Sequence, residues 1–240
     1  MKHIRLSTCG STNDEAREAL ARGEAPPFVV SAAEQTQGRG RAGRSWAQRE
    51  GNFAGRFVVR LPEVIAQEPG ALALLAGVSV REVMIEYGAP GEGLALKWPN
   101  DVLLFERKVA GVLADLISQG SAMIAVVGIG VNLANAPGET TGQLPAAALF
   151  PDRPPDPERF GSRLGAVILG WRARCETDGL GLLFNTWRAA AWRLGEPLTL
   201  RADQQPVTGI FRDIDRHGRL ILRLPDGRER HFSAGDASSR

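Results

Sequence analysis

A loop of glycines and arginines is the first part of this chain suited to chemistry. Residues 38–45 read Gly-Arg-Gly-Arg-Ala-Gly-Arg-Ser, with three glycines and three arginines. Glycine lets a backbone approach a ligand closely, and neighbouring guanidinium groups repel one another unless an anion lies among them. The match of residues 38–43 to the pattern G-x-G-x-x-G does not indicate a dinucleotide site, because the polar segment that follows opens no helix. We expect an anion at this loop, with a solvated basic loop or a nucleic-acid-binding segment as the alternatives.

Two lysines stand out because the chain otherwise uses arginine for positive charge. Of its 29 basic residues, only Lys2, Lys97 and Lys108 are lysines. An ammonium is a compact point charge and a guanidinium is a planar fork, so we expect Lys97 and Lys108 where a point charge is needed. Lys97 opens the turn Lys-Trp-Pro-Asn-Asp at residues 97–101. The alternative is a simple ion pair between Lys97 and Asp101, worth about 0–1 kcal/mol if exposed.

Glycines interrupt two segments that otherwise have the pattern of apolar strands. Gly111 lies in Lys-Val-Ala-Gly-Val, and Gly128 and Gly130 alternate in Gly-Ile-Gly-Val-Asn. A glycine inside a strand often marks the close approach of a ligand or of a second backbone. We therefore predict that these three glycines lie against a ligand.

The elements that hold these segments are predicted from hydrophobic periodicity and turn residues. Helices are predicted over residues 11–23, 71–87, 158–176 and 180–193, and strands over 28–33, 53–61, 94–98, 101–105, 109–117 and 123–133. Short strands follow at 198–201, 207–214, 220–224 and 228–232. Runs of strands with few helices between them favour an α+β fold with a mixed sheet. The last strands predict a small β-barrel-like unit that leans on the main domain.

The composition excludes several classes of protein. The 240 residues, 43% hydrophobic and 23% charged, are typical of a globular chain. Two cysteines and three histidines do not provide a disulfide framework or a four-ligand zinc site, so we expect no structural metal. The net charge of +2 is too small to argue for nucleic acid. Without a long apolar run or a secretion signal, we expect no membrane contact and a cytoplasmic location.

Taken in order, six segments of the chain resemble the biotin protein ligases. They are Ser-Thr-Asn at 11–13, the loop 38–46, Gly-Asn-Phe at 51–53, the turn 97–101, Arg-Lys-Val-Ala-Gly at 107–111 and Gly-Ile-Gly-Val-Asn at 128–132. The resemblance continues to Gly-Asp-Ala-Ser at 235–238, which is similar to the close of the family's small C-terminal barrel. It implies a class II synthetase-like catalytic domain, a mixed β-sheet with flanking helices, over residues 1–193. It also implies an SH3-like β-barrel over residues 194–240.

The resemblance implies an enzyme that activates biotin with ATP and Mg²⁺ to biotinyl-5'-AMP. Biotin then passes to a lysine of the biotin carboxyl carrier protein or domain of a carboxylase. In such an enzyme Lys108, Arg39 and Arg41 offset the repulsion between the carboxylate and the triphosphate. Asp101 positions the acceptor lysine or takes its proton, and it lies with Asn100 near the phosphates and Mg²⁺. The residues implied to contact biotin or the adenylate are Ser11, Thr12, Asn13, Gln35, Arg39, Gly40, Arg41, Trp46, Lys97, Asn100, Lys108, Gly111, Gly128 and Gly130.

The chain departs from the family pattern at two places. Residues 51–56 read Gly-Asn-Phe-Ala-Gly-Arg where the family usually has a larger or hydroxylated residue, which changes the expected wall of the biotin pocket. Ten residues precede Ser-Thr-Asn, whereas bifunctional members carry a winged helix-turn-helix there, so we expect no repressor function and no nucleic-acid partner.

Two other functions remain as alternatives, and the oligomeric state is open between a monomer and a homodimer. A lipoate or octanoate ligase of the same superfamily would need a pocket for an alkyl chain. A non-catalytic nucleic-acid-binding module would need a wider basic surface and stacking aromatics, whereas the chain has one tyrosine.

Overall fold

The computed structural model describes residues 1–40, 43, 46, 48–138, 144–202 and 205–238. The α-helices of this part of the chain are α1 (Thr12–Ala21), α2 (Glu63–Ala66), α3 (Pro69–Glu86), α4 (Pro157–Asp178) and α5 (Gly181–Ala189). The strands before α4 are β1 (Lys2–Cys9), β2 (Phe28–Gln35), β3 (Phe53–Arg60), β4 (Leu94–Lys97), β5 (Asp101–Leu104), β6 (Arg107–Gln119) and β7 (Ala122–Val131). Those after α5 are β8 (Pro197–Arg201), β9 (Val207–Ile214), β10 (Leu220–Arg223), β11 (Glu229–Phe232) and β12 (Asp236–Ser238).

A mixed seven-stranded sheet carries the larger part of the chain. Its strand order is β1-β2-β3-β7-β6-β5-β4, with β1 parallel to β2 and the other neighbours antiparallel. Together with the flanking helices and the small C-terminal sheet, it confirms the predicted α+β class. The described residues contain no helix that is both long and apolar enough to cross a membrane.

The edge strand β1 is an element that the sequence analysis did not predict. Most of its residues are exposed or half-buried, and Cys9 alone among them is buried. An edge strand makes a ladder on one side only, so its sequence lacks the alternation by which a half-buried strand is identified. The parallel pairing with β2 is a long-range contact that no local pattern announces.

The two faces of the sheet are covered unequally. The helices α3, α4 and α5 pack against one another and α3 and α4 against one face, where most of the buried apolar residues form one cluster. Because α3 is buried on several sides, its apolar residues are not confined to one stripe. On the opposite face α1 covers a smaller cluster: Ala16, Ala19, Leu20, Phe28, Val30, Val58, Ile124 and Val126. The rest of that face is left for the cavity described below.

A five-stranded antiparallel sheet forms the small SH3-like C-terminal unit. Its order is β11-β10-β9-β8-β12, and β12, which was not predicted, pairs with β8. The buried side chains of this sheet belong to the main core cluster, which confirms that the unit leans on the main domain. The indole Nε1 of Trp98, 2% exposed, donates to the carbonyl oxygen of Gly218 at 3.0 Å. Trp98 thereby joins the turn at residues 97–101 to the C-terminal unit.

Asp215 organises the turn between β9 and β10 that meets the main domain. Its Oδ1 accepts from the backbone N–H groups of His217 and Arg219 at 2.9 and 3.0 Å. Its Oδ2 lies 2.7 Å from Nε of Arg219 and 2.9 Å from Nδ1 of His231. Burial by itself raises the pKa of the Asp215 carboxyl, but the hydrogen bonds from His231, Arg219 and His217 outweigh burial and lower that pKa to about 2.

We expect Asp215→Asn to destabilise the fold at neutral pH and to lose this effect in acid. The folded-state pKa is below the ordinary value of 3.8, so the stabilisation by the carboxylate is fully present above that value. It is lost as the pH falls towards about 2. Urea unfolding of both proteins across this range measures the difference between their midpoints, which should close in acid. Asp152→Asn, at an exposed site, is the control and should match the wild type at every pH. A difference for Asp215→Asn that stays constant down to pH 2 would contradict this account.

Candidate active site

A cavity of about 420 Å³ opens on the face of the main sheet that α1 leaves uncovered. It is bounded by the start of α1, by the loop after β2, by β3, β6 and β7, and by the segment that follows β7. The residues that line it are Thr12, Gln35, Arg39, Gly40, Trp46, Ala54, Gly55, Arg56, Asn100, Lys108, Gly111, Val112, Leu113, Gly128, Ile129, Gly130, Asn132, Pro137, Gly138, Leu144 and Ala146.

Three glycines form a bare strip of sheet at the floor of this cavity, which we call the glycine floor: Gly111, Gly128 and Gly130. Gly111 on β6 is the register partner of Gly130 on β7, and Gly128 lies one side-chain repeat further along β7. A Cβ on Gly130 would lie 2.3 Å from the Trp46 ring, and a Cβ on Gly111 would lie 3.3 Å from the same ring and from Lys108 Nζ. Side chains of the same chain therefore approach these glycines closely, and the predicted contact of the glycines with a ligand remains a prediction.

The start of α1 forms one end of the cavity. Ser11 caps the helix, its Oγ accepting from the backbone N–H of Asn13 at 3.3 Å. The backbone N–H and the hydroxyl of Thr12 both donate to Oε1 of Gln35 at 2.9 Å, which joins α1 to β2. Ser11 and Thr12 are buried. The buried Oδ1 of Asn13 accepts no hydrogen bond from the described residues.

Lys108 and Asp101 form an ion pair beside the other end of the glycine floor. The Lys108 ammonium lies 2.7 Å from Oδ1 of Asp101, in a contact that is an ion pair and not an aligned hydrogen bond. Asp101 also lies 3.7 Å from the Lys97 ammonium. Lys97 is 6% exposed and lies 3.0 Å from Oδ1 of Asp236 in the C-terminal unit. Lys97 therefore holds Asp101 and the C-terminal unit and does not line the cavity.

The turn between β4 and β5 is tied to β6 through Asn100. Its side-chain Nδ2 donates to the carbonyl oxygen of Val112 at 2.8 Å, and its own carbonyl oxygen accepts from Val112 N–H at 2.8 Å. Asn132, which is buried and was not predicted as a site residue, contacts the same region, its Nδ2 donating to Lys108 O at 3.4 Å. These bonds place the Lys108 backbone relative to both neighbouring strands.

The glycine- and arginine-rich loop contributes Arg39, Gly40 and Trp46 to the cavity wall. The Arg39 guanidinium lies 3.3 Å from Oδ2 of Asp14 and is more than half exposed. The Trp46 N–H donates to Gly38 O at 2.9 Å, which brings the two ends of the loop together. The buried Nε1 of Trp46 has no hydrogen-bond partner among the described residues. Arg41, predicted as a catalytic residue, lies outside the residues that the structure describes.

Arg56 lines the cavity wall, and the sequence analysis noted it only as part of the segment 51–56 that departs from the family pattern. It lies on β3 and is 4% exposed. Its Nη1 donates to the carbonyl oxygen of Leu113 at 3.2 Å and lies 3.8 Å from Asp115. Burial lowers the pKa of the Arg56 guanidinium, and the Asp115 carboxylate opposes that shift.

The structure brings most of the predicted site residues to one cavity. Those that line it are Thr12, Gln35, Arg39, Gly40, Trp46, Asn100, Lys108, Gly111, Gly128 and Gly130. Ser11, Asn13, Lys97 and Asp101 lie behind this lining layer. The roles of these residues towards a ligand remain predictions. The lining residues that the sequence analysis missed lie on β3, β6 and β7 and in the segment after β7, and this segment shows no periodic pattern in its sequence.

Two features concern the cysteines and the side chains that could bind a metal ion. Both cysteines are buried, and burial raises the pKa of the Cys175 thiol to about 11. Within the described ranges, no group of three or more His, Cys, Asp or Glu side chains is placed to hold a metal ion.

The chain matches known proteins along almost its whole length. The sequence model of the Biotin/lipoate A/B protein ligase family matches residues 10–132, and that of the Biotin protein ligase C terminal domain matches residues 194–240. A biotin--[acetyl-CoA-carboxylase] ligase of Paracoccus denitrificans is 40% identical over 237 residues, which cover 93% of this chain and 95% of that protein. The protein of the same name in Mycobacterium tuberculosis is 36% identical over 239 residues, which cover 96% of this chain and 86% of that protein.

A solved structure shares the fold described above. The biotin protein ligase from Aquifex aeolicus in complex with biotin and ATP superposes with a TM-score of 0.82 at 25% identity, and the match covers 99% of this chain and 97% of that chain. The sequence matches and this structural match agree with the resemblance found in the six segments. The chain belongs to the biotin protein ligase family.

Proposed function

We propose that this chain activates biotin with ATP to biotinyl-5'-AMP and then transfers biotin to a specific lysine of a biotin carboxyl carrier protein or domain. The observation that carries the proposal is the Lys108 ammonium above the glycine floor, in a chain that is 40% identical to a biotin--[acetyl-CoA-carboxylase] ligase. A carboxylate does not react with an amine at neutral pH, so its oxygen must first become a leaving group. Adenylation supplies that activation.

The first step brings two anions together, the carboxylate of biotin and the triphosphate of ATP. In a site from which water is excluded, their repulsion costs several kcal/mol unless positive groups offset it. Lys108 offers a point charge between the carboxylate and the α-phosphate, and Arg39 offers a planar fork from the loop. The α-phosphate is attacked by a carboxylate oxygen, and pyrophosphate leaves. The work of the chain in this step is positioning and electrostatic stabilisation.

Mg²⁺ supplies charge neutralisation on the departing pyrophosphate when it is bound with ATP. Asn100 and Asp101 offer hard oxygen donors beside the cavity, and Mg²⁺ in nucleotide sites takes its remaining ligands from phosphates and water. Asp101 is flanked by the ammonium groups of Lys108 and Lys97, at 2.7 and 3.7 Å.

In the second step a neutral acceptor lysine attacks the mixed anhydride, and AMP leaves. Asp101, predicted to position this lysine or take its proton, lies against Lys108 before substrate binds. We propose that Asp101 first orients the Lys108 ammonium. Asp101 then faces the acceptor amine once the phosphates have drawn Lys108 towards them.

A lipoate or octanoate ligase is the nearest alternative, and the inner end of the cavity argues against it. Thr12, Gln35 and Arg56 line that end with polar groups. An alkyl chain or dithiolane ring offers these groups no hydrogen bond beyond those that they already make to one another and to Leu113. A ureido ring, with donors and an acceptor, satisfies them.

We propose that the catalytic unit spans residues 1–193 and the C-terminal unit residues 194–240. The C-terminal family match begins at residue 194, and β8 begins at Pro197. We place the reaction in the cytoplasm, where ATP and the carrier protein are available, and expect no nucleic-acid or membrane partner.

The test of the proposed function uses the purified chain with biotin, labelled ATP and Mg²⁺. We expect biotinyl-5'-AMP and pyrophosphate, followed by a single biotin mass increase on a lysine of an added carrier domain. Parallel incubations with lipoate and octanoate are expected to give no adenylate. Adenylation of lipoate in preference to biotin would overturn the proposal.

We expect Lys108→Arg to slow single-turnover adenylate formation by about 100-fold, although the charge is kept. Lys108 Nζ lies 2.7 Å from Asp101 and close above Gly111, so a wider planar fork does not fit as a point charge between two oxyanions. Lys2→Arg, on the exposed edge strand, is the matched control and should react at the wild-type rate. Rates for Lys108→Arg within a few-fold of the wild type would contradict the assigned role.

Gly130→Ala is expected to weaken biotin binding by about tenfold or more, because a methyl group on the floor displaces the Trp46 ring. The added Cβ would lie 2.3 Å from that ring. Titration calorimetry of biotin without ATP measures the effect, with thermal unfolding as the check on folding. Gly170→Ala on α4, where a Cβ meets nothing within 4 Å, should bind biotin normally. Equal affinities of Gly130→Ala and the wild type would show that biotin does not lie on this floor.

A further inference from the structure

Arg56 is a buried cation on the wall of the cavity. A guanidinium carries five N–H donors and no acceptor. Within the described part of the chain, the side chain makes one hydrogen bond, to Leu113 O at 3.2 Å. Its nearest carboxylate, Asp115, is 3.8 Å away and is shared with Arg17 at 3.4 Å. Arg56 is 4% exposed and lines the cavity, so a ligand that enters the cavity meets donors of its guanidinium.

The glycine floor determines where the Arg56 guanidinium lies. Gly128 is the register partner of Arg56, and a Cβ at Gly128 would lie 2.4 Å from the Arg56 Cζ. The guanidinium therefore rests flat on the sheet, which the absence of a side chain at Gly128 permits. The N–H donors, which lie in the plane of the guanidinium, therefore point parallel to the floor.

Three side chains lie over the floor in a defined order. Lys108 lies over Gly111, the Trp46 ring lies over the paired Gly130, and Arg56 lies over Gly128. Lys108 and Arg56 therefore lie at opposite ends of the floor, separated by one side-chain repeat, roughly 7 Å, along the strands and by one strand spacing, about 4.8 Å, across them. A ligand whose carboxylate reaches Lys108 and whose other end reaches Arg56 therefore replaces the Trp46 ring over Gly130.

We propose that Arg56 is a specificity-determining residue that donates a hydrogen bond to the ureido carbonyl oxygen of biotin. The inference rests on the proposed function. The ring end of biotin carries one carbonyl oxygen, two N–H donors and a thioether sulfur. Because a guanidinium only donates, its strong partner at that end is the carbonyl oxygen. The oxygens of Thr12 and Gln35, which join one another at 2.9 Å, are the acceptors nearest for the N–H groups.

The test compares three ligands by titration calorimetry at pH 7 without ATP: biotin, desthiobiotin and 2-iminobiotin. Desthiobiotin keeps the ureido group and lacks the sulfur. In 2-iminobiotin a protonated guanidino group, cationic like that of an arginine, replaces the carbonyl acceptor. We expect the wild type to prefer biotin strongly over 2-iminobiotin. Arg56→Met should weaken the binding of biotin and of desthiobiotin by about 10- to 100-fold, which is the value of a hydrogen bond to a charged donor. The ratio of the affinity for biotin to that for 2-iminobiotin should fall by at least about tenfold.

Two further variants keep the test decisive. Arg60→Met removes an exposed arginine from the end of the same strand and should leave all three affinities unchanged. Arg56→Gln keeps an N–H donor without the charge, and it carries the same expected narrowing if Arg56→Met fails to fold. Equal weakening of all three ligands, or a changed ratio of biotin to desthiobiotin alone, would overturn the assignment to the carbonyl oxygen. A wild type that binds none of the three would overturn the proposed function itself.

Discussion

The site depends on the close approach of side chains to a strip of sheet without side chains of its own. Strands β6 and β7 have no Cβ atoms at Gly111, Gly128 and Gly130. The absence of these side chains weakens the packing of the two strands but opens the floor of the cavity. A cationic ammonium, an indole ring and a guanidinium then lie within contact of the backbone. The rest of the sheet compensates with continuous apolar burial on its opposite face, where α3 and α4 pack.

The second constraint is electrostatic. Each described cation at the cavity has a carboxylate nearby: Lys108 has Asp101 at 2.7 Å and Arg39 has Asp14 at 3.3 Å. Arg56 has the more distant Asp115. Such pairs let cations remain charged in a partly buried site before anions arrive. Substrate phosphates and carboxylates then replace these partners as ligands of the same cations, so the site is preorganised at little reorganisation cost.

The C-terminal unit is part of the support of this site. Lys97, Trp98 and Glu68 contact Asp236, Gly218 and His217 of that unit. Two of these contacts come from Lys97 and Trp98, in the same turn as Asn100 and Asp101. A buried ammonium such as Lys97 needs carboxylates from both sides to be tolerated. The position of Asp101, and through it that of Lys108, is therefore coupled to the docking of a separate sheet.

Local periodicity, turn residues and motif spacing are sufficient to predict the α+β class, most helices and strands, and the family. Which residues meet became visible in the folded chain, where the register of β6 and β7 brings the three glycines into one floor. The tertiary structure placed Lys97 behind the cavity with Asp236, which lies 139 positions further along the chain. The fold places the Arg56 guanidinium over Gly128, a contact that the sequence of β3 does not indicate. It also shows β1 and β12 as edge strands. All of these depend on long-range register, and pairing between distant segments leaves no periodic trace in either of them.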